Sequence, residues 1–484
     1  MAPRRRDGEA MSRTSVVALL LAAVAAVVAG VFVARQAPGR RGAGDAADCH
    51  GAIGIEVTGL SEAWRTRLAV PVGVTGAVIS EVLPYGPGSK AGLRAGDVVS
   101  AVGATRVTNA CTTGFAGGSN CQPFEVTVYR GSAVLRVPVV PSNAAALYER
   151  ACHQGHQSAC HRLAWLMRSG RGVARDEKRA EQLYDKACRA GGGAACGELG
   201  SLWSSRAERR AEALSLLERA CDLDDPQGCL LLASAFAMGT LAPRDDARAT
   251  PIYEKACALG SALGCYNTGL MYNEGRGVRA DPSRAFRAYA EGCSMGSTTA
   301  CTDEGYMHQY GRAVAQDEAL AATLYDRACA GTPCQAGNLL GCLNLGKVYR
   351  DGIGVRVDPA RAARIFRSAC EGPLDEGDVD PGPHRARACS LLGALHLAGR
   401  GVPADPAQGL ALSKRGCDQG DGFGCYNAGV VFSQGLGVEP DREQAMTFFR
   451  RACGAGDDEA CDYILRKLPD ELGDREVRAS DGSR

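Results

Sequence analysis

Cysteine pairs recur at a nearly constant interval along this chain of 484 residues. Nine pairs start at Cys152, and successive first cysteines lie 36, 33, 36, 36, 36, 41, 47 and 36 residues apart. Seven residues separate the two cysteines of a pair, except where insertions lengthen the sixth and seventh pairs. A fixed period of this length predicts a solenoid in which one supersecondary unit is repeated.

The spacing within the pairs indicates disulfides rather than metal sites. Structural zinc sites usually have about two to four residues between paired cysteines, with a second pair or histidines nearby. Seven residues intervene here, and the sequence has only seven histidines. We expect no metal and no cofactor. We expect ten disulfides, one of them upstream of the repeats: Cys111–Cys121, Cys152–Cys160, Cys188–Cys196, Cys221–Cys229, Cys257–Cys265, Cys293–Cys301, Cys329–Cys342, Cys370–Cys389, Cys417–Cys425 and Cys453–Cys461. Cys49 and Cys334 have no local partner in the sequence.

An apolar segment without charges lies near the N-terminus, at residues 15–34. About twenty such residues suffice to span a bilayer, and the arginines within residues 1–14 favour a cytoplasmic N-terminus. Because disulfides persist only outside a reducing cytosol, we predict an inner-membrane protein whose bulk lies in the periplasm, joined to its anchor by a linker at 35–49. Cleavage near residues 27–29 would instead release a secreted or periplasmic protein.

Residues 50–141 contain β-branched runs separated by turn sequences, which predicts a small β-rich domain. Segments 54–55 (GI), 76–79 (GAVI) and 89–99 (SKAGLRAGDVV) follow one another in an order that resembles a bacterial PDZ domain, in the variant found behind trypsin-like periplasmic proteases. The resemblance implies that an extended peptide terminus adds as a strand to a sheet edge. The residues that it implies for the carboxylate-binding loop are Ile53, Gly54 and Ile55.

One part of this resemblance fails. The second wall of a PDZ groove is an apolar helix, whereas residues 112–120 of this chain contain three glycines, which disfavour a helix. The expected Cys111–Cys121 bridge would close this loop. We therefore predict either peptide binding in a remodelled groove or a spacer domain without a ligand.

One repeat shows the local signals that specify a pair of helices. Residues 264–278 predict a first helix that stops at Gly275, since glycine readily adopts the left-handed conformation of a C-cap. Asp281 is a suitable N-cap for the second helix, and Pro282 suits its first position. The Gly-x-Gly-Val turn of this repeat recurs in four others and is missing from the degenerate stretch at 200–245.

These repeats resemble the Sel1-like repeat (SLR) family, a relative of tetratricopeptide arrays, and the cysteine spacing is similar to that of its disulfide-rich bacterial branch. The resemblance implies a mainly α fold, an elongated right-handed α-solenoid of antiparallel helix pairs over residues 142–468. We expect about eight repeats with half-units at both ends, preceded by the PDZ-like β-rich domain and the transmembrane helix. The polar tail at 469–484 is expected to be disordered.

Alanine or glycine precedes each of the eighteen paired cysteines of the repeats. A disulfide requires its two α-carbons within about 7 Å of each other, so we expect these small residues to let two helix ends approach closely. Most linkers also carry a glycine three residues after the first cysteine, where the helix stops; the exceptions are Asp224, Thr332 and Pro373.

The sequence argues against catalysis. The disulfide-rich branch often carries a β-lactamase label, yet the chain has neither a Ser-x-x-Lys tetrad nor a Lys-Thr-Gly motif. His153, His156 and His161 form the one cluster of histidines in the sequence, and we interpret them as solvated residues at helix ends. We predict a protein without enzymatic activity. The alternative is a β-lactam- or peptidoglycan-binding protein with weak hydrolase activity.

Polar residues recur at one position, two residues after the second cysteine of a pair. Asparagine stands there as Asn267, Asn344 and Asn427, and other repeats have Arg162, Glu198 or Asp303. Such side chains either line a concave face and bond to a ligand backbone, as asparagines do in tetratricopeptide grooves, or tie neighbouring repeats together. We predict a scaffold that binds proteins or peptides, with cell-wall components as further candidates. The net charge of +1 argues against nucleic acid as a partner.

Overall fold

A computed structural model describes residues 51–465, with gaps at 53–54, 61–64, 66, 69, 72–73, 83–86, 103–104, 108–123, 132, 140–141, 172, 331–337 and 373–381. The predicted membrane segment, the Cys111–Cys121 loop and the polar tail lie outside these residues, as do Cys49, Ile53, Gly54 and Cys334. Within the described ranges, no helix is both long and apolar enough to cross a bilayer. The chain forms two compact units, one ending at Leu223 and the other beginning at Asp224.

The first unit begins with an antiparallel sheet. Its strands are β2 (Ile55–Gly59), β3 (Ala77–Val82), β4 (Val98–Val102), β5 (Thr105–Arg106), β6 (Phe124–Arg130) and β7 (Ala133–Val139). They are ordered β2-β3-β4-β6-β7, with β5 paired to β4. Separately, β1 (Gly51–Ala52) pairs with β8 (Ser142–Asn143), and a short helix α1 (Pro87–Lys90) precedes β4. The core of the sheet consists of β-branched residues, among them Ile79, Val99 and Val126.

Glycines and an ion pair fix the turn that leads into β4. Gly92 and Gly96 have φ angles of 85° and 88°, in the left-handed region that glycine adopts without steric cost. The buried Asp97 carboxylate accepts hydrogen bonds from Arg130 Nε at 2.7 Å and from the Arg94 backbone N–H at 2.9 Å. A buried carboxylate with this many donors is well compensated for its loss of water.

Helices fill the rest of the first unit. A single helix, α2 (Ala144–His153), is followed by two antiparallel pairs, each with a first and a second helix. The pairs are α3 (Gln157–Ser169) with α4 (Glu177–Arg189), and α5 (Gly193–Ser204) with α6 (Arg210–Asp222). A 3-10 turn at Ala207–Arg209 replaces the usual linker in the second pair, within the stretch that lacks the glycine turn in the sequence.

The second unit contains six pairs and one further helix in its described residues. First helices have odd numbers and second helices even numbers: α7 (Pro226–Met238), α8 (Asp246–Ala258), α9 (Ala262–Glu274), α10 (Pro282–Ser294), α11 (Thr298–Tyr310), α12 (Glu318–Ala330), α13 (Leu339–Asp351), α14 (Pro359–Glu371), α15 (Gly382–Ala398), α16 (Pro406–Asp418), α17 (Gly422–Gln434), α18 (Arg442–Gly454) and α19 (458–465).

The predicted helix boundaries are confirmed at the turn between α9 and α10. Gly275 is the C-cap of α9 with a φ angle of 68°, and Asp281 caps α10 by accepting from the backbone N–H groups of Ser283 and Arg284. Gly277 also has a positive φ angle, and a side chain there would overlap the Asp246 backbone of the preceding repeat. The second glycine of the motif is thus required by packing as well as by conformation.

Disulfides join the end of a second helix to the start of the next first helix. In the eight pairs with measured geometry the α-carbons lie 4.4 to 4.8 Å apart: Cys152–Cys160, Cys188–Cys196, Cys257–Cys265, Cys293–Cys301, Cys329–Cys342, Cys370–Cys389, Cys417–Cys425 and Cys453–Cys461. Cys221 and Cys229 are disulfide-bonded as well. No cysteine among the described residues is free.

The expected role of the small residues beside the cysteines is confirmed. A Cβ added to Gly264 would lie 2.9 Å from the Ala256 Cβ, and one added to Gly341 would lie 2.7 Å from the Ala328 Cβ. Real Cβ atoms do not approach that closely, so larger residues would separate the helix ends. The glycines after the first cysteines have φ angles of 84° to 98°, and Asp224 takes the same place with a φ of 57°.

A glycine within each of several first helices receives a ring from the second helix of the same pair. A Cβ on Gly305 would lie 2.9 Å from the Tyr325 ring, and one on Gly346 would overlap the Phe366 ring. Both rings are completely buried. The first and second helices of a pair are therefore held together by backbone-to-ring packing as well as by the core side chains.

We predict that Gly346→Ala lowers the stability of the protein. Overpacking a core costs about 1–3 kcal/mol, which exceeds the helix propensity of about 1 kcal/mol gained by replacing glycine. The midpoint of urea unfolding, followed by far-UV circular dichroism, measures the change. Gly454→Ala is the matched control, since a Cβ there meets no atom within 4 Å, and it should leave the midpoint unchanged or raise it. Equal midpoints for the two variants would contradict the packing argument.

Candidate functional site

The first helices of the second unit form a continuous surface, because each odd-numbered helix contacts the next odd-numbered helix. Positions two, five and nine residues after the second cysteine of a pair lie on one side of each of these helices. We call the resulting surface the A-helix face. It is defined by Asn267, Glu274, Asp303, Tyr306, Tyr310, Asn344, Lys347 and Asn427.

The side chains of the three asparagines on the A-helix face make no hydrogen bond to another described residue. Asn267 and Asn344 are partly exposed, whereas Asn427 is buried and its Nδ2 group has no partner. The alternative role for these asparagines, a side-chain hydrogen bond that ties one repeat to the next, is therefore not seen among the described residues. Unsatisfied amide groups on a surface are available to a ligand, and the buried Nδ2 of Asn427 carries a desolvation cost.

Basic side chains tie neighbouring repeats together instead, and the sequence analysis missed them. Two residues before the first cysteine of a repeat, Arg415 and Arg451 donate to the carbonyls of Cys370 and Cys417, each at 3.3 Å. Lys186 makes the same contact in the first unit, to the Cys152 carbonyl at 3.4 Å. The cations thereby bind carbonyls at the C-termini of the preceding second helices, where the helix dipole favours positive charge.

Asp303, on α11, is a carboxyl group without a compensating partner. Burial, followed by the charge of Glu274, raises its pKa from 3.8 to about 7. None of the described residues donates a hydrogen bond to it. Tyr266 and Tyr289, whose ring centroids are 6.0 Å apart, have raised pKa values because they are buried and because Asp303 lies nearby. An uncompensated carboxyl group thus lies beside aromatic side chains.

Two tyrosines project from the same helix as Asp303. Tyr306 is 41% exposed and Tyr310 is 57% exposed, and their ring centroids are 4.6 Å apart. The Arg312 guanidinium lies 5.8 Å from the centre of the Tyr306 ring. Exposed aromatic rings on a protein surface often mark a site that binds other molecules, and here they lie on the same helix face as the partly exposed Asp303.

A basic cluster follows one repeat further along the A-helix face. Burial and the nearby charges of Arg387 and Arg350 lower the pKa of Lys347. Burial, together with the charge of Lys347, also lowers the pKa of His384. Arg387 donates to Asp421 at 3.1 Å, whereas Lys347 has no hydrogen-bond partner among the described residues. The A-helix face therefore changes from acidic to basic between α11 and α13.

The equivalent position in the first unit is occupied by an ion pair. Arg168 Nη1 donates to Glu198 Oε2 at 3.1 Å. Burial raises the pKa of Glu198, and the opposing charge of Arg168 only partly offsets that effect. This carboxylate already has a cationic partner, unlike Asp303 in the second unit.

Within the described residues, one group of side chains has the spacing of metal ligands, namely Cys257, Cys265 and Glu291. The two sulfur atoms are joined in a disulfide, so they cannot act as thiolate ligands. The histidines singled out in the sequence do not form such a group there. His161 instead packs against the Tyr184 ring, with centroids 5.7 Å apart.

The residues of the predicted carboxylate-binding loop are only partly described. Ile55 begins β2, where it pairs with Val82 of β3, and β2 is an end strand of the sheet. Ile53 and Gly54 lie outside the described residues. An end strand has an unpaired edge, which is the structural requirement for adding a peptide strand.

The Sel1 repeat family matches nine consecutive segments that together cover more than half of the sequence. The chain belongs to the Sel1 repeat family. The matching segments are 129–156, 157–192, 198–225, 226–261, 262–297, 300–332, 339–373, 386–421 and 422–457. The family prediction and the prediction of a mainly helical repeat solenoid are thus confirmed.

The comparison with c5321 shows that this chain shares the SLR fold, and two further solved structures are similar in sequence. The chain is 24% identical to c5321, a protective antigen of uropathogenic Escherichia coli with an SLR fold, over 66% of this chain and 67% of that one, with a TM-score of 0.56. A Sel1 repeat protein from Oxalobacter formigenes is 22% identical over 66% of this chain and 89% of that one, with a TM-score of 0.47. Helicobacter pylori cysteine rich protein B is 31% identical over 26% of this chain and 93% of that one, with a TM-score of 0.23. No curated protein matches the sequence.

Membership of the family bears on activity and partners. Sel1 repeats generally mediate protein–protein interactions, and proteins built from them are typically interaction modules without enzymatic activity. The many disulfides suggest an extracytoplasmic or periplasmic location for this Sel1 repeat protein.

We predict that Asp303 makes the stability of this Sel1 repeat protein depend on pH. Because its pKa is raised to about 7, the folded protein retains a proton there at pH values where the unfolded chain has lost it. The stability of Asp303→Asn relative to the native protein should therefore increase between about pH 4 and pH 7 and then remain constant. Urea unfolding of both proteins from pH 4 to pH 9 measures this difference.

The exposed Glu443 provides the matched control for this titration. Glu443→Gln removes a carboxylate from α18 and should follow the native pH dependence throughout. The interpretation of Asp303 fails if Asp303→Asn differs from the native protein by the same amount at every pH.

Proposed function

We propose that this Sel1 repeat protein is a membrane-anchored scaffold outside the cytoplasm that binds proteins or peptides along its A-helix face. The observation that carries this proposal is the set of polar side chains on that face without partners in the described chain. Asn267, Asp303, Asn344 and Lys347 all belong to it. A polar group that is partly removed from water and makes no hydrogen bond lowers the stability of the protein, and a ligand that supplies the missing bond removes this cost.

The proposed location rests on two features of the chain. Disulfides recur in every repeat, and they are stable where thiols are not kept reduced. The apolar segment at 15–34 then serves as the anchor, with the arginines before it on the cytoplasmic side.

A second binding site is proposed in the PDZ-like domain. Its support is the antiparallel sheet with β2 at one end, together with the glycine turn before β4. A peptide terminus would add to the free edge of β2, and the backbone N–H groups of residues 53–55 would bind its carboxylate.

Site-specific crosslinking tests the proposed role of the A-helix face. We expect p-benzoylphenylalanine at position 306 or 347 to give discrete protein adducts in living cells on irradiation. The same group at position 287 or 364, where exposed arginines lie on second helices, should give none. Adducts of equal yield at all four positions would contradict binding by the A-helix face.

A terminal-peptide library tests the PDZ-like site separately. Immobilised first unit should enrich peptides by their C-terminal residues, and Gly54→Glu should abolish the enrichment by placing a negative charge against the ligand carboxylate. Arg136→Ala, which changes an exposed residue of β7, should keep it. Failure to enrich any terminal sequence would leave the domain as a spacer.

A further inference from the structure

One repeat of the second unit differs from the others on the A-helix face. Five residues after the second cysteine it has Tyr306, where the other repeats have smaller, aliphatic or basic residues: Ser234, Leu270, Lys347, Ala394 and Val430. Nine residues after that cysteine it has Tyr310, where the others have Met238, Glu274, Asp351, Ala398 and Gln434. An exposed pair of tyrosines is therefore a property of α11 and not of the repeat.

The carboxyl group of Asp303 has no cation against it among the described residues, although Arg276 Nη1 lies 3.8 Å from the Glu274 carboxylate. Glu274 from the preceding first helix is the one charged residue that shifts the pKa of Asp303, and it shifts it upward. Arg312 lies against the Tyr306 ring at 5.8 Å but makes no hydrogen bond to Asp303. The cluster thus combines the carboxyl groups of Glu274 and Asp303 with the exposed rings of Tyr306 and Tyr310. None of the described residues places a cation against Asp303.

These features favour one kind of ligand group. A cation is attracted to the face of a tyrosine ring within about 6 Å, and more strongly to a carboxylate in a poorly solvated position. An acidic group would instead be repelled by Glu274 and by ionised Asp303. The position of Arg312 shows that the ring tolerates a guanidinium group beside it.

We propose that the cluster formed by Glu274, Asp303, Tyr306 and Tyr310 binds a lysine or arginine side chain of an extended protein segment. This inference rests on the proposed binding function of the A-helix face and names the chemistry of its partner. Because Lys347 carries a positive charge one repeat further along the same face, the surface would select a segment with one basic residue rather than a uniformly basic one.

Binding of the cation is coupled to ionisation of Asp303. A bound ammonium or guanidinium group favours the carboxylate, so a proton leaves and affinity rises with pH until Asp303 is ionised in the free protein as well. Glu274 of α9 acts on Asp303, and Asp303 in turn acts on Tyr266 of α9, Tyr289 of α10 and Tyr325 of α12. Tyr306 and Tyr310 lie three and seven residues after Asp303 on the same face of α11, and Arg312 lies against the Tyr306 ring. Burial raises the pKa values of Tyr266, Tyr289 and Tyr325 further above neutral pH, so these three side chains do not take part in the coupling.

A display library of unstructured dodecapeptides provides the test. Selection on the native protein at pH 8 should enrich peptides with a single lysine or arginine, and selection on Asp303→Asn or Tyr306→Ala should not. A selected peptide should bind each variant at least tenfold more weakly than the native protein. Its affinity should fall by up to tenfold per pH unit below pH 7 for the native protein, and should not change with pH for Asp303→Asn.

Two control variants separate a specific site from general attraction between charges. Glu443→Gln removes a negative charge from α18, and Arg364→Ala changes an exposed residue of α14; neither should alter the affinity. Tyr306 is exposed and Asn is isosteric with Asp, so both test variants should fold, which circular dichroism verifies.

The outcomes distinguish this inference from the proposed function. Peptides that compete with crosslinking at position 347 but show no enrichment of basic residues would overturn the basic-residue proposal and leave the A-helix face as a binding surface. Basic peptides whose affinity is unchanged in Asp303→Asn and Tyr306→Ala would overturn it as well. A library without any binder, together with no crosslinked adducts, would overturn both.

Discussion

The close approach of two helix ends at every cysteine pair is the constraint on which the rest of the solenoid depends. The α-carbons are less than 5 Å apart in the measured pairs, and alanine or glycine stands before each paired cysteine, where a Cβ added at Gly264 or Gly341 would clash with the neighbouring helix end. A bridge that closes a loop of nine residues stabilises the fold by about 2–3 kcal/mol through the unfolded chain. In an array whose units contact mainly their neighbours, such local contributions stabilise each junction between consecutive pairs of helices.

The sequence predicts the parts of this fold that arise from local conformation. Gly275 and Asp281 were expected to end one helix and begin the next because glycine and aspartate have well-known preferences at caps, and the structure places them there. Asp224 could not be predicted to continue the pattern of the glycines, since few residues other than glycine adopt a positive φ. Likewise, Arg415 and Arg451 resemble ordinary surface charges in the sequence. Their carbonyl partners lie 45 and 34 residues earlier in the chain, and only the stacking of repeats brings them together.

The candidate site was also predictable from the sequence only in part. The position two residues after the second cysteine was identified from the sequence, and asparagine drew attention there because it recurs. The structure gives greater weight to Asp303, which occurs at this position once. Its unusual protonation arises from burial and from Glu274, a residue of the preceding repeat. The spacing of residues in the sequence does not reveal how exposed a carboxyl group is. It also does not reveal which charged residue of the preceding repeat lies beside that group.

The disulfides and the binding surface are physically related. A carboxyl group with a raised pKa and an unpartnered amide at Asn427 both reduce stability, since their desolvation is not offset by bonds within the protein. A helical array without cross-links would have little stability to spare for such groups. The bridges lie at the junctions between pairs of helices, away from the mid-helix positions of Tyr306 and Lys347, so they can stabilise the array without occupying its surface. On this view, cross-linking at the helix ends is what allows the A-helix face to diverge from one repeat to the next while the framework stays the same.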